Sequence, residues 1–127
     1  MGNGTPIGRV RALGSAHSGA PHWLLQRFTA VGTLLLGLYL AFSFARIGDF
    51  SYKSMHGWLH NPLPAVLLGL FVVSVFWHAR LGLQVLIEDY VTSSGNKFAV
   101  FALLNLLTFG GAGLALLSLI RIALGAA

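Results

Sequence analysis

Three apolar runs, each long enough to cross a bilayer, constrain this chain more than anything else in it. Leu24 to Phe44 is 21 residues, about 31 Å as a helix, against a hydrocarbon core of about 30 Å. Pro64 to Tyr90 is 27 residues, about 40 Å of helix, so one end projects beyond the hydrocarbon. Phe98 to Ile120 adds 23 more. Of 127 residues, 56% are hydrophobic and 9% charged, well below the quarter or so of charged residues usual in soluble domains. A soluble core of this size cannot hide that much apolar surface, so lipid must be the solvent. The expected fold is therefore an all-α integral membrane protein with three transmembrane helices, at about 22–47, 64–90 and 98–121. A short interfacial helix is expected between the first two.

The net charge of +5 reads as membrane orientation and headgroup contact. Nucleic acid is excluded as a partner, because the basic residues are scattered and no recognition motif is present. With no cysteine, the chain has no disulfide, no iron–sulfur ligand set and no thiolate zinc site. Any redox centre must use histidine or belong to a partner.

Residues 1–21 are rich in Gly and Ser and carry Arg9 and Arg11. They read as an uncleaved, irregular arm preceding a membrane domain of residues 22–127. No apolar core follows the arginines as a signal peptide requires, and Pro6 stands where a myristoylation start wants Ser or Thr. The first turn of the first span carries His22, Trp23, Gln26 and Arg27. Trp23 is an interfacial anchor. Arg27, one turn inside, either snorkels to headgroups or meets a buried anion, and snorkelling is the cheaper reading of the residues alone.

Between the first two spans, Phe50, Tyr52, Met55, Trp58 and Leu59 mix with Lys53, His56 and His60 at helical spacing, which predicts the helix lying in the membrane plane. His56 and His60 are four apart and could share a metal. No carboxylate or cysteine closes that set, so both read as solvated. Asn61 is the expected N-cap of the second span, with proline in its first turn. Thr92 to Lys97 reads as a tight polar turn. In the third span, Asn105 and the Gly110-Gly111-x-Gly113 patch read as packing features. Arg9, Arg11, Arg27 and Lys97 fall on one side and Arg46, Lys53 and Arg121 on the other, which places the N-terminus and the Tyr90 end in the cytoplasm.

The second span carries the chemistry. Phe71, Ser74, His78, Gly82, Val85 and Asp89 form one stripe, Asp89 lying three turns from His78 and about 20° around the axis. Tyr90 stands beside it, roughly 18 Å along the axis from His78. An intramembrane imidazole is costly unless bonded. His78 is thus bonded to a neighbouring helix, or is a haem axial ligand or a proton relay. Gly82 leaves a flat hollow beside it where a planar ring can approach. Asp89 and Tyr90 read either as interfacial anchors or as a quinone hydrogen-bond donor with a polar neighbour. Arg80 points about 160° away from the His78 stripe, which leaves snorkelling or pairing with a partner chain.

His78-Ala79-Arg80-Leu81-Gly82-Leu83-Gln84-Val85, followed by Asp89-Tyr90-Val91, resembles the hydrophobic membrane-anchor D subunit family of bacterial succinate dehydrogenases. The opening of the first span, Ser18-Gly19, His22-Trp23 and Gln26-Arg27-x-Thr29-Ala30, is similar to that family too. The resemblance implies respiratory complex II, with its place in electron transport and the tricarboxylic acid cycle. A flavoprotein, an iron–sulfur protein and a second anchor (the C subunit, a cytochrome b-type anchor) would be the partners. Haem b would be shared with that second anchor, and ubiquinone would be the substrate. His78 then becomes an axial ligand of the haem iron and Arg27 a contact to a haem propionate. His22 becomes a further propionate contact, Tyr90 the quinone donor and Asp89 its polar neighbour. No complete active site would lie in this chain alone, and the setting would be the bacterial inner membrane. The rivals are the anchor of a fumarate reductase, which shares the architecture, and a non-redox membrane adaptor or small transport subunit.

Overall fold

The computed structural model describes residues 19–125. Within them the chain is helical throughout, with no strand. The helices are α1 (Gly19–Ile47), α2 (Tyr52–His60), α3 (Pro62–Tyr90) and α4 (Ser94–Ala123). The expected three spans and the short helix between the first two are all present. At 29, 29 and 30 residues, the long helices extend about 44 Å. Each is long and apolar enough to cross a membrane. Residues 1–18 of the expected arm lie outside the described residues, and its last three residues belong to the first turn of α1.

The helix ends depart from expectation where backbone geometry overrides composition. Gly48, at φ 77°, takes the left-handed position that closes α1. Asp49 then accepts from the Ser51 backbone N–H at 2.9 Å, and Ser51 caps α2 by accepting from the Ser54 N–H. Hydrogen bonds from Ser51 and then Ser54 hold the Asp49 carboxyl below its ordinary value. Asn61 does precede α3, which has proline in its first turn, but its side chain makes no capping bond. The polar turn expected over Thr92–Lys97 is shorter. The Lys97 N–H donates to the Ser93 carbonyl at 2.8 Å, so α4 begins at Ser94 and only Val91–Ser93 connect the helices. Lys97 Nζ also donates to the Glu88 carbonyl, placing a cation on the last turn of α3.

The second long helix is the centre of the arrangement. α3 packs on α1 along one side and on α4 along the other, and among the described residues α1 and α4 do not pack on each other. Small residues set the approach. A Cβ on Gly111 would lie 2.7 Å from the Phe76 ring, and one on Gly32 would lie 3.3 Å from Ser74 Oγ. The expected glycine patch thus narrows to Gly111, since Gly110 and Gly113 face open space. The core is thin: Leu40, Leu59, Leu81, Leu104 and Leu119. Phe28, Phe42, Phe98 and Leu106 are largely exposed, as befits a chain solvated by lipid rather than water. α2 is the amphipathic element. It buries Leu59, and its Trp58 Nε1 donates to Ser43 Oγ on α1 at 2.7 Å.

Candidate functional site

Antiparallel packing of α1 on α3 brings a line of small polar side chains into register. Thr33 Oγ1 meets Ser74 Oγ at 2.8 Å. Ser74 Oγ donates to the Thr29 carbonyl at 3.1 Å. One turn further along α3, His78 Nδ1 lies 3.2 Å from Thr29 Oγ1. The same hydroxyl lies 2.9 Å from the Leu25 carbonyl and 3.0 Å from that of Gln26. Thr29 is one of two buried polar residues among those described. His78 is therefore bonded to a neighbouring helix through one ring nitrogen. Nε2 has no hydrogen-bond partner among the described residues.

His78, Trp23, Gln26, Arg27 and Ala30 line one cavity of about 220 Å³. Arg27 shares that cavity with the imidazole, and its guanidinium lies 5.4 Å from the centre of the Trp23 ring. A Cβ on Gly82 would meet nothing within 4 Å, so the hollow expected beside His78 is open. The seam thus sets the His78 imidazole and the Arg27 side chain around a common space.

The other predicted residues stand apart. His22 does not line the cavity. Its Nε2 is buried without a hydrogen-bond partner. Asp89 and Tyr90 occupy the last turn of α3, both exposed, Tyr90 at 81%. The structure does not bring them to His78. His56 and His60 stack, with ring centroids 5.9 Å apart and 18° between planes. Among the described residues no group of three or more His, Asp or Glu is placed to hold a metal ion.

Arg80 points away from the His78 stripe as expected, and the structure adds a partner within this chain that reading the residues alone did not reveal. Its Nε donates to Asn105 Oδ1 on α4 at 2.8 Å, and its guanidinium lies over the rings of Trp77 at 5.5 Å and Phe109 at 6.0 Å. A desolvated guanidinium takes planar aromatic faces and an amide oxygen in place of water. The signal was available, for Arg80 is 12 residues before Thr92 and Asn105 is 12 after Ser93. A tight antiparallel turn sets such equidistant positions side by side. Thr29 was legible only as part of a motif.

Residues 1–120 match the family of succinate dehydrogenase/fumarate reductase transmembrane subunits. The chain is 39% identical over 87 residues to the succinate dehydrogenase hydrophobic membrane anchor subunit of Rickettsia bellii, covering 68% of this chain and 69% of that one. It is 34% identical over 93 residues to the succinate dehydrogenase membrane anchor subunit of Reclinomonas americana, covering 71% and 78%. With the hydrophobic membrane anchor subunit of Paracoccus denitrificans it shares 30% identity over 96 residues, covering 76% and 74%. No solved structure matches. Three membrane-length helices, a short helix after the first, and likeness over most of the chain converge, and the chain belongs to the succinate dehydrogenase/fumarate reductase transmembrane subunit family as a multi-pass membrane anchor subunit.

Proposed function

We propose that this subunit anchors the flavoprotein and iron–sulfur subunits of a succinate dehydrogenase to the bacterial inner membrane, with its N-terminus in the cytoplasm. Together with a second anchor of the C-subunit type it holds haem b and forms part of the ubiquinone-reduction site. The names of its relatives favour succinate dehydrogenase over fumarate reductase, and family membership tells against a non-redox adaptor. Succinate is oxidised elsewhere in the complex, within respiratory electron transport and the tricarboxylic acid cycle.

One observation carries the haem reading. His78 is anchored through Nδ1, and it shares a cavity with the Arg27 cation. A haem needs an imidazole nitrogen for its iron, a flat wall beside that imidazole, and cations for its propionates. His78, Gly82 and Arg27 fit those needs in that order. His22, which the family resemblance offers as a further propionate contact, lies outside that cavity, with its Nε2 buried and unpartnered. This chain supplies one such histidine, so any second protein ligand to the iron would come from the C subunit. When bound, haem b supplies a one-electron carrier inside the membrane. At the cytoplasmic end of α3, the exposed Tyr90 hydroxyl donates a hydrogen bond to a quinone carbonyl. Asp89, beside it and open to water, helps move the two protons that quinone reduction consumes.

The test is the absorbance spectrum of the purified complex with His78→Ala beside the unaltered protein. A b-type haem signal that is lost or strongly altered in the variant is expected. A variant spectrum identical to that of the unaltered complex would overturn the ligation.

A further inference from the structure

We infer that Thr29 is the positioning residue that commits His78 to a single tautomer, with the proton on Nδ1 and the lone pair on Nε2. The inference rests on the haem reading above. It starts from counting protons at one buried oxygen. Thr29 Oγ1 has one hydrogen and three neighbours: the Leu25 carbonyl at 2.9 Å, the Gln26 carbonyl at 3.0 Å and His78 Nδ1 at 3.2 Å. The carbonyls can only accept. A threonine hydroxyl within a helix characteristically back-bonds to the carbonyls of the preceding turn. Its lone pairs then face the imidazole, so Nδ1–H donates to Oγ1. The opposite tautomer would put the proton on Nε2 and leave no lone pair there for iron.

The neighbouring bonds hold that oxygen in place. Ser74 Oγ spends its proton on the Thr29 carbonyl at 3.1 Å, so Thr33 is the donor in the 2.8 Å contact between the two hydroxyls. The backbone of Thr29 is thereby tied to α3 one turn from His78. A histidine that ligates metal commonly donates its other N–H to a fixed acceptor, which orients the ring and raises its basicity. Here a neutral hydroxyl takes that place. A more basic imidazole favours the ferric state, so Thr29 lowers the haem potential as well as strengthening haem binding.

The test compares Thr29→Val and Thr29→Ser in the assembled complex, with His78→Ala as reference. Three readouts serve: haem retention, the haem midpoint potential by redox titration, and pulsed EPR of the remote imidazole nitrogen. Valine keeps the branched shape and removes the acceptor. It should weaken haem retention by about 10- to 100-fold, raise the midpoint potential and change the remote-nitrogen signal. Serine keeps the hydroxyl and should restore all three. If His78→Ala loses its haem signal while Thr29→Val matches the unaltered complex in every readout, Thr29 has no such role and the ligation stands. If His78→Ala keeps an unaltered spectrum, the haem reading itself fails. Should the valine variant not assemble, pulsed EPR of the unaltered ferric complex decides. A hydrogen-bonded proton on the remote nitrogen supports the assignment, and its absence overturns it.

Discussion

Arg80 and Asn105 meet at 2.8 Å across the α3–α4 seam, on the far side of α3 from the bond between His78 and Thr29. The central helix therefore carries His78 and Arg80 at similar depth on opposite faces, each bonded to a different neighbour.

That pairing predicts a coupling. Asn105→Leu leaves the guanidinium without its only side-chain hydrogen-bond acceptor among the described residues, and Arg80→Leu leaves the amide alone. Interhelical polar contacts of this kind are worth about 0.6–2 kcal/mol. Each single variant should lower the unfolding midpoint of the solubilised complex, and the double variant should lose less than the sum of the two. Strict additivity in that cycle would show that the contact contributes nothing.

Gly111 gives a sharper steric test. A Cβ there falls 2.7 Å from the Phe76 ring, and overpacking typically costs about 1–3 kcal/mol. Gly111→Val should reduce thermal stability, and Phe76→Leu in the same chain should recover part of the loss. Gly113→Ala, with open space around it, should be neutral in the same melting assay.

Tyr90→Phe removes one hydroxyl and keeps the ring. The deleted hydrogen bond is worth about 0.5–1.5 kcal/mol net, up to roughly tenfold in an equilibrium. Quinone reduction should fall by at least that factor, while succinate oxidation by a soluble dye and the haem spectrum stay near normal. Quinone reduction at the unaltered rate would return this tyrosine to simple interfacial anchoring.

Three crossings put the chain ends on opposite sides. A phosphatase or fluorescent reporter fused after Ala127 should report the periplasm, and one fused at the N-terminus the cytoplasm. The reverse pattern would move the Tyr90 end, and the proposed quinone site with it, to the outer side.

How far the residues alone could lead depended on the kind of interaction. Helix number and span follow from apolar length, which is a property of each segment by itself, so α1, α3 and α4 were legible. Their first residues were less so, because Ser94, Gly95 and Asn96 look like a loop until the Ser93 carbonyl receives the Lys97 N–H. The polar stripe through Ser74, His78 and Gly82 needs only the helical period. What occupies the other side of the stripe needs the register of α1 on α3. Thr29 and His78 are 49 residues apart with another helix between them, and no local rule sets that register. Arg80 with Asn105 is the opposite case, since a three-residue connection leaves little freedom in how the two helices pair.

Three helices standing in a row, with the outer two out of touch among the described residues, leave the His78 cavity open on one side. Such a chain is a wall rather than a vessel, and a wall acquires an inside only when a second one is raised against it. The α1–α3 seam is held by Thr29, Thr33, Ser74 and His78, with Gly32 close to Ser74 and Gly37 close to the Phe71 ring. No residue of α4 lines the His78 cavity, so a surface laid over that cavity could close it without displacing α4.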